Sequence, residues 1–186
     1  MAIIGDEQRP DDSTGGAFLA EPPIPVVTVD PHIFREAMSR LGAAVHVVTT
    51  AGEGGKAGFT ATAVSSVSDK PATLLICLNR ASRNNSALFT NRVLCVNTLP
   101  AGADAMADLF AGRTKVYGED RFAGDQWTTL KTGSPVLVSA VAAFDCRVLE
   151  VKPVASHYVY FVAVEAIRKG PAGAALVYHE REYKKV

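Results

Sequence analysis

Residues Gly58–Asn79 constrain the fold of this chain more than any other stretch, and they read GFTATAVSSVSDKPATLLICLN. The first half, Phe59–Val67, is rich in β-branched and small hydroxylated residues, which favours a strand. A turn at Asp69-Lys70-Pro71 follows, because Pro71 fixes φ and removes a backbone donor. The second half, Thr73–Leu78, is continuously apolar, as in a strand that is buried on both faces. The stretch therefore predicts two strands joined by a turn.

The hydroxyl groups of the first strand have two interpretations. They belong to Thr60, Thr62, Ser65, Ser66 and Ser68. A row of short donors and acceptors suits a flat polar ligand, and hydroxyl and N–H groups at its end suit a phosphate. Alternating Ser and Thr also mark an ordinary solvated sheet face. The residues alone leave both interpretations open.

Charge is unevenly distributed along a chain of 186 residues whose formal net charge is zero. Residues 1–30 hold six acids and one base, together with Gly15-Gly16, Pro22-Pro23 and Pro25, and are expected to form an acidic tail. Residues 31–186 hold the other 18 bases and 13 acids. This mild excess suits an anionic ligand, and one domain is the expectation for residues 31–186.

Composition excludes several classes of protein. Cys77, Cys95 and Cys146 lie in apolar runs without a CxxC pair, which favours free thiols in a reducing cytoplasm over disulfides or zinc. No apolar run approaches the roughly 18 residues that span a bilayer, and the acidic start is unlike a signal peptide. The basic residues form no run interleaved with aromatics, so nucleic acid is not an expected partner.

Hydrophobic periodicity predicts about seven strands and three short helices. The first helix begins at Asp30-Pro31, carries Phe34, Met38 and Leu41 on one apolar face and ends near Gly42. The other helices are expected at Asn84–Phe89 and Ala103–Phe110, with Gly112 closing the last one. Besides Phe59–Val67 and Thr73–Leu78, strands are expected at Ala43–Thr50, Val93–Leu99, Val136–Val151 (one strand or two), Ser156–Ile167 and Leu176–Tyr178, with residues 113–134 irregular. The mostly short links favour a mostly β fold, an antiparallel barrel that is closed or partly closed.

Two polar features could be functional or structural. The segment Arg80–Ser86 joins a buried strand to a helix with two arginines, two serines and two asparagines, so it suits an anion at the helix N-terminus. It would equally suit a solvated loop with a serine cap. His46 lies inside a strand, and a lone histidine there is more often packed than a ligand.

Several common catalytic motifs are missing from the sequence: GxSxG, HExxH, a Walker A loop and GxGxxG. The carboxylates do not cluster, and no cysteine lies near a histidine in the sequence. A reaction that needs no protein acid or base fits best. Hydride transfer between two bound cofactors is such a reaction, since the protein mainly orients two rings.

Four segments together resemble the short-chain flavin reductases, the reductase components of two-component flavin-dependent monooxygenases of the 4-hydroxyphenylacetate, chlorophenol and pyrimidine-degradation types. They are Gly58–Ser82, Asn91–Asn97 (NRVLCVN), Leu109–Gly112 (LFAG) and Ser156–Phe161 (SHYVYF), in order and similarly spaced. The resemblance covers residues 31–186 and excludes the tail. It implies a Greek-key split β-barrel that binds FMN, a homodimer, and reduction of FMN or FAD by NADH.

The resemblance also implies roles for individual residues. Thr60, Ala61, Thr62 and Ala63 would line the isoalloxazine edge, and Ser66, Val67 and Ser68 would hold the ribityl and phosphate groups. Cys77, Asn79 and the loop Arg80, Ala81, Ser82, Arg83 and Asn84 would complete the phosphate side. Phe110, Ala111 and Gly112 would approach the flavin, His157 would contact the nicotinamide, and Tyr183 would lie near that site. Ser156 stands where relatives often have Gly or Asp, and Pro71-Ala72 replaces a double proline.

The function implied is an NADH-dependent flavin reductase that supplies reduced flavin by diffusion to a separate monooxygenase in the cytoplasm. One alternative is a flavoprotein that passes electrons to a ferric chelate or a quinone, and another is a flavin carrier without turnover. An open barrel would leave apolar surface around Phe110 and Trp127, and we expect two copies to pair there about a two-fold axis. No metal ligand set is expected.

Overall fold

The computed structural model describes residues 29–124 and 126–186, so residues 1–28 of the predicted tail lie outside the described residues. In the described part the helices are α1 (Pro31–Ser39), α2 (Asn84–Asn91) and α3 (Asp104–Phe110). The strands are β1 (Ala43–Ala44), β2 (His46–Thr50), β3 (Ala57–Ala61), β4 (Val64–Asp69), β5 (Ala72–Asn79), β6 (Val93–Thr98), β7 (Trp127–Thr129), β8 (Pro135–Leu137), β9 (Ala142–Val154), β10 (His157–Lys169), β11 (Leu176–His179) and β12 (Glu182–Lys185). A 3-10 helix at Gly118–Phe122 precedes β7.

Seven strands form one antiparallel sheet in the order β3-β2-β6-β9-β10-β5-β4. Its two edge strands, β3 and β4, are consecutive in the chain and are joined only by Thr62 and Ala63. The sheet therefore curls until its edges approach each other, and β3 packs against β5. This partly closed barrel agrees with the predicted fold class. The other strands form the sheet β1-β11-β12 and the hairpin β7-β8.

Apolar side chains from the barrel strands meet inside the curled sheet. Val48, Ile76, Leu94 and Tyr160 are each at most 1% exposed and pack together with side chains of the neighbouring strands. These positions come from the alternating inward side of each strand. Complete burial of such side chains contributes about 1.5–3 kcal/mol each, so this core fixes the register of the strands that carry the polar residues outside it.

A second core lies between the barrel and the segment after α3. Phe110, Phe122 and Trp127 pack edge-on or tilted, with ring centroids 5.1–5.7 Å apart. Phe110 is only 2% exposed. The expectation of an apolar surface around Phe110 and Trp127 is therefore wrong, because the irregular segment folds back and covers these rings within one chain.

Helix α1 begins as the sequence predicts, but it is not packed as the pattern suggests. The Asp30 carboxylate accepts hydrogen bonds from the backbone N–H groups of His32 and Ile33, at 2.7 and 3.2 Å, and Pro31 follows it. Phe34 and Met38 do share one face, yet they are 55% and 47% exposed, and no residue of α1 is buried. None of the helices in the described part of the chain is both long and apolar enough to cross a membrane.

The strand boundaries differ from the predictions at several places. Ala43–Thr50 is divided between β1 and β2, and β7 lies in the segment 113–134 that was expected to be irregular. The expected strand Phe59–Val67 is two strands, because the chain bends sharply at Thr62–Ala63, where Val64 N–H donates to Thr62 C=O at 3.0 Å. The segment Val136–Val151 contains two strands, β8 and β9, which is one of the two alternatives that the sequence left open. Strand β12 was not predicted, because its mostly polar residues show no apolar alternation. It forms through its pairing with β11, which the local sequence does not indicate.

Candidate functional site

An open cleft of about 190 Å³ lies beside the Thr62–Ala63 bend. Four of the residues that line it were predicted for the flavin site, namely Thr60, Thr62, Ala111 and Tyr183. Three others, Val45, Arg113 and Tyr178, were not predicted. The cleft thus collects residues from β3, the end of α3 and the β11–β12 hairpin. Its walls combine hydroxyl groups, an arginine and two aromatic rings.

The two threonines of the cleft are placed by the end of β3. Thr60 Oγ1 donates to the Ala107 carbonyl at 2.6 Å, which ties β3 to α3. Ala61 alternates with it and faces the barrel core. Thr62 and Ala63 follow in the bend and are exposed. The small residues at this bend leave backbone and hydroxyl groups open to a ligand.

Arg113 and Tyr183 line one side of the cleft and form a hydrogen-bonded cluster with Asp108 behind them. The Tyr183 hydroxyl donates to Asp108 Oδ1 at 3.0 Å, and Arg113 Nη1 donates to the same oxygen at 2.9 Å. Burial, followed by the bond to Asp108, raises the pKa of Tyr183 to about 12. The phenol therefore stays protonated near neutral pH and serves as a hydrogen-bond donor and an aromatic wall. Its ring meets the Tyr178 ring edge-on at 5.4 Å.

Backbone pairing along β5 connects the bend at Thr62–Ala63 with the loop Arg80–Asn84 at the other end of the site. Cys77 N–H donates to Ala63 C=O at 3.0 Å, so β5 runs directly past the bend. Two residues later, Asn79 ends β5 and pairs with His157, the first residue of β10. Burial raises the pKa of the Cys77 thiol, so this half-buried side chain is neutral rather than nucleophilic near pH 7.

The loop Arg80–Asn84 follows β5 and leads into α2. The Asn79 side chain accepts from Ala81 N–H at 2.8 Å, and Ser82 Oγ accepts from Asn84 N–H at 3.3 Å. The Arg80 guanidinium donates to the Ala155 carbonyl at 3.4 Å, and Arg83 is exposed. Arg83 occupies the N-cap position of α2 without a side-chain cap, so the expected serine cap is absent and Ser82 makes only a local bond one residue earlier. Both arginines of the loop are exposed to solvent.

Asn85 anchors this loop to the barrel, and its role was not predicted. Its Nδ2 donates to the carbonyls of Asn79, Arg80 and Ser82 at 2.8, 3.2 and 3.0 Å, and its Oδ1 accepts from the Tyr160 hydroxyl at 2.7 Å. Both side chains are buried, at 5% and 1% exposure. Asparagine in a polar loop gave no sign of this, since only the fold shows that Tyr160 lies beneath it.

His157 lies beside the loop, on the outer end of the β9–β10 hairpin. Its ring is exposed, and its Nδ1 hydrogen-bonds to Ser156 Oγ at 2.9 Å. The bond to Ser156 occupies Nδ1 and leaves Nε2 to face outward. Of the other histidines, His46 is packed as expected: it is 9% exposed, bonds to the Thr98 hydroxyl at 3.1 Å, and has a pKa lowered to about 4 by burial.

The residues Ser66, Val67 and Ser68 do not lie with the loop. Ser66 pairs with Leu74 and Ser68 with Thr73, while Asn79 lies at the opposite end of β5. From Leu74 to Asn79 an extended strand covers roughly 16 Å. One phosphate group cannot contact both Ser66–Ser68 and the loop Arg80–Asn84. The structure therefore separates the two segments that the resemblance assigned to the phosphate.

The three residues at the end of α3 divide between core and cleft. Phe110 points into the aromatic core described above, Ala111 lines the cleft, and Gly112 follows with a φ of 74°. A positive φ at this position ends the helix and favours glycine. For Phe110, the structure shows core packing, and its contact with a flavin stays a prediction.

Comparison with known proteins identifies relatives of this chain. Residues 38–186 match the flavin reductase like domain. FMN reductase (NADH) RutF 1 of a Methylorubrum extorquens strain is 52% identical over 158 residues, which are 85% of this chain and 78% of that protein. The solved structure of BorF, the flavin reductase component of a bacterial two-component tryptophan halogenase, is similar with a TM-score of 0.79 at 25% identity, covering 84% of this chain and 98% of BorF.

A nitrilotriacetate monooxygenase component B homolog from Mycobacterium thermoresistibile gives a TM-score of 0.77 at 27% identity, covering 83% of this chain and 86% of that one. The expected split barrel is confirmed by these similarities, and the family match includes the residues of the barrel, the cleft and the loop. This chain belongs to the family of flavin reductase like domains.

Proposed function

We propose that this protein reduces FMN with NADH and releases the reduced flavin to a separate monooxygenase. The observation that carries the proposal is the continuous path from the cleft at Thr60 and Thr62, past Ala63 and Cys77, to the Arg80–Asn84 loop. A flat polar ring system and a phosphate need these two environments, one at each end. Relatives at about half identity are named FMN reductase (NADH), which supports this choice of flavin and donor.

The residues present fit an FMN molecule. Thr60, Thr62 and the exposed backbone of Ala63 offer donors and acceptors for the ring system. Ser82 and Arg83 offer a hydroxyl and a guanidinium for the phosphate. FMN, when bound, accepts a hydride and its two electrons from NADH, and a proton from water completes the reduced flavin.

The protein's own contribution is to bind and to orient. His157 is exposed beside the loop, and its Nε2, which Ser156 does not occupy, would hydrogen-bond the nicotinamide amide. Ser156 holds the other ring nitrogen and so limits the rotation of the imidazole. Tyr183 stays protonated and donates its one hydroxyl hydrogen to Asp108, so it offers a ligand its aromatic ring and exchanges no proton.

The assembly and partners form the second part of the proposal. Two copies would form a homodimer with each flavin near their interface, in the cytoplasm. The reduced flavin would reach the oxygenase by diffusion, and the similarity to BorF, the flavin reductase component of a two-component halogenase, supports this. Light scattering that shows an active, stable monomer at micromolar concentration would contradict the dimer.

The activity is tested by anaerobic mixing of the protein with NADH and an excess of free FMN. We expect the flavin to bleach over many turnovers. A carrier without turnover would leave the excess FMN yellow. A protein that uses a ferric chelate or a quinone would oxidise NADH quickly only when that acceptor is added.

The phosphate site is tested with Arg83→Ala. Loss of one charge-assisted hydrogen bond costs about 1.5–3 kcal/mol, so the Kd for FMN should rise about tenfold or more. Riboflavin has no phosphate, and its Kd should hardly change. Equal losses for both ligands would place the phosphate elsewhere.

A further inference from the structure

A second groove, of about 630 Å³, continues from the cleft and lies between helix α1 and the β11–β12 hairpin. Thr62 and Tyr178 line both the cleft and the groove, so the two form one continuous surface. The volume falls within the 300–1,000 Å³ that small-molecule sites usually have. The side of this groove away from the cleft contains none of the site residues predicted from the sequence.

The floor of the groove is apolar and comes from Met38 in α1 and from Leu41, which follows the helix. Met38 and Leu41 line it and are 47% and 59% exposed, opposite the ring of Tyr178. Since no residue of α1 is buried, the helix is not held by core packing. It is held at the hairpin, where Glu180 N–H donates to the Ser39 carbonyl at 2.6 Å. An apolar floor beside an aromatic ring suits the flat face of a heterocycle.

Two arginines, Arg35 and Arg181, line the groove, and no carboxylate of the described chain does. The acids nearby have other partners: Glu36 lies 3.8 Å from Arg40, and Glu180 lies 3.0 Å from Lys184. Among the residues that the structure describes, neither Arg35 nor Arg181 forms an ion pair. Two guanidinium groups on one groove favour a ligand with more than one negative charge.

The position of Arg181 is fixed by an unusual turn. Glu180 and Arg181 are the two central residues of the β11–β12 hairpin, with φ values of 53° and 64°. Turns of this kind favour Asn-Gly, because positive φ is strained for residues with a Cβ. Here the bonds from Glu180 to Ser39 and Lys184 hold the strained turn, and they keep Arg181 beside α1.

We propose that this groove binds the diphosphate and adenosine of a dinucleotide, with Arg35 and Arg181 on the diphosphate and the apolar floor of Met38 and Leu41 under the adenine. The inference rests on the proposed function, since NADH is the dinucleotide that this function requires. The shared lining at Thr62 and Tyr178 lets one ligand extend from the cleft into the groove. FAD carries the same diphosphate–adenosine group, so the two sources must be separated by experiment.

The test compares Arg35→Gln, Arg181→Gln and the double variant with the wild type, all as full-length chains. Arg40→Gln is the matched control, because Arg40 is an exposed arginine at the end of the same helix, lies beside Glu36 and does not line the groove. Steady-state rates are measured with FMN as the acceptor and with two hydride donors. One is NADH, and the other is 1-benzyl-1,4-dihydronicotinamide, which has the reacting ring but no phosphate or adenosine.

With FMN as the acceptor, each groove variant should raise the KM for NADH about tenfold, as expected for one lost charge-assisted contact. Rates with the benzyl donor should stay near wild type, and Arg40→Gln should resemble wild type with both donors. With FAD as the acceptor, a rise in the KM for FAD alone would identify FAD as the source of the diphosphate. Unchanged KM values for both dinucleotides, or equal losses with both donors, would overturn the proposal.

Binding of ADP, followed by calorimetry, tests the groove without turnover. The wild type and Arg40→Gln should bind ADP, and the double variant should bind it at least tenfold more weakly. If ADP binds in this way but the wild type does not bleach FMN with NADH, the dinucleotide site is supported and the proposed activity is refuted. If the double variant binds ADP as the wild type does, or if light scattering shows that it changes oligomeric state, the groove is not the dinucleotide site.

Discussion

The buried pair of Asn85 and Tyr160 offers the sharpest test of how the barrel supports the loop Arg80–Asn84. Asn85→Ala removes the amide that joins the loop to the barrel, and Tyr160→Phe removes only the hydroxyl beneath it. The two variants share one hydrogen bond and differ in the others. Comparing them therefore separates the anchoring of the loop from the bond to the barrel.

The expected magnitudes follow from the number of bonds. The Asn85 amide has two N–H groups for three carbonyls, so it makes two full bonds with one shared, and it accepts a third from Tyr160. At about 1 kcal/mol for each bond, Asn85→Ala should cost about 3 kcal/mol. Tyr160→Phe loses one bond and leaves the buried Asn85 Oδ1 without its donor, so it should cost about 1–2 kcal/mol.

Urea unfolding at neutral pH measures these costs, and thermal unfolding checks them. For a chain of this size 1 kcal/mol corresponds to about 2–4 °C, so the midpoint should fall by about 6–12 °C for Asn85→Ala. At temperatures at which Asn85→Ala is still folded, its affinity for FMN should be weaker than that of the wild type. The affinity of Tyr160→Phe should stay near wild type, because the loop carbonyls remain bonded to Asn85 in that variant. Equal stability of Asn85→Ala and wild type, or equal loss of FMN binding in both variants, would refute the reasoning.

Three further changes have expected outcomes. Burial lowers the pKa of His46 to about 4, against an ordinary 6.5, so its contribution to stability is full above pH 6.5 and falls as the pH drops toward 4. Between pH 7 and pH 5 the free energy of unfolding should fall by about 2 kcal/mol. Urea unfolding at several pH values should show a flatter pH dependence for His46→Gln. Gly170→Ala would drive a Cβ into the backbone carbonyl of Ala140 and should lower the thermal midpoint by several degrees, whereas Gly173→Ala, with open space around it, should not; equal midpoints would refute the clash. His157→Ala should raise the KM for NADH and slow flavin reduction in stopped flow, with the FMN Kd and thermal midpoint near wild type; normal reduction, or a lower midpoint alone, would return His157 to a structural role.

The barrel could be predicted from the sequence where the pattern was local. Strand β5 is bounded by the Asp69–Pro71 turn and by a polar loop, and Asp30-Pro31 specifies the start of α1 through a cap that the structure contains. The bend at Thr62–Ala63 could not be predicted, since residues on both sides of it favour strands. The bend arises because β3 and β4 must lie on opposite edges of one curled sheet.

The cleft was only partly predictable for the same reason. Thr60 and Thr62 belong to the stretch that stood out by composition. Val45, Arg113 and Tyr178 lie in three distant segments, and nothing local marks them. They meet because β1 pairs with β11, and that pairing brings the chain end to the side of the barrel where β3 ends. Long-range pairing of short strands carries little signal in one sequence.

The titratable groups of the site agree with a reaction in which the protein orients and does not exchange protons. Burial raises the pKa of Cys77, and burial with the bond to Asp108 raises that of Tyr183 to about 12, so neither is a base or a nucleophile near neutral pH. The other two cysteines are buried, and His46 is held neutral within the barrel wall. What the described residues offer a ligand instead is hydroxyl, backbone and guanidinium donors along one path. Such donors suit hydride transfer between two bound rings, because the chemistry then resides in the ligands and the rate depends on how they are aligned.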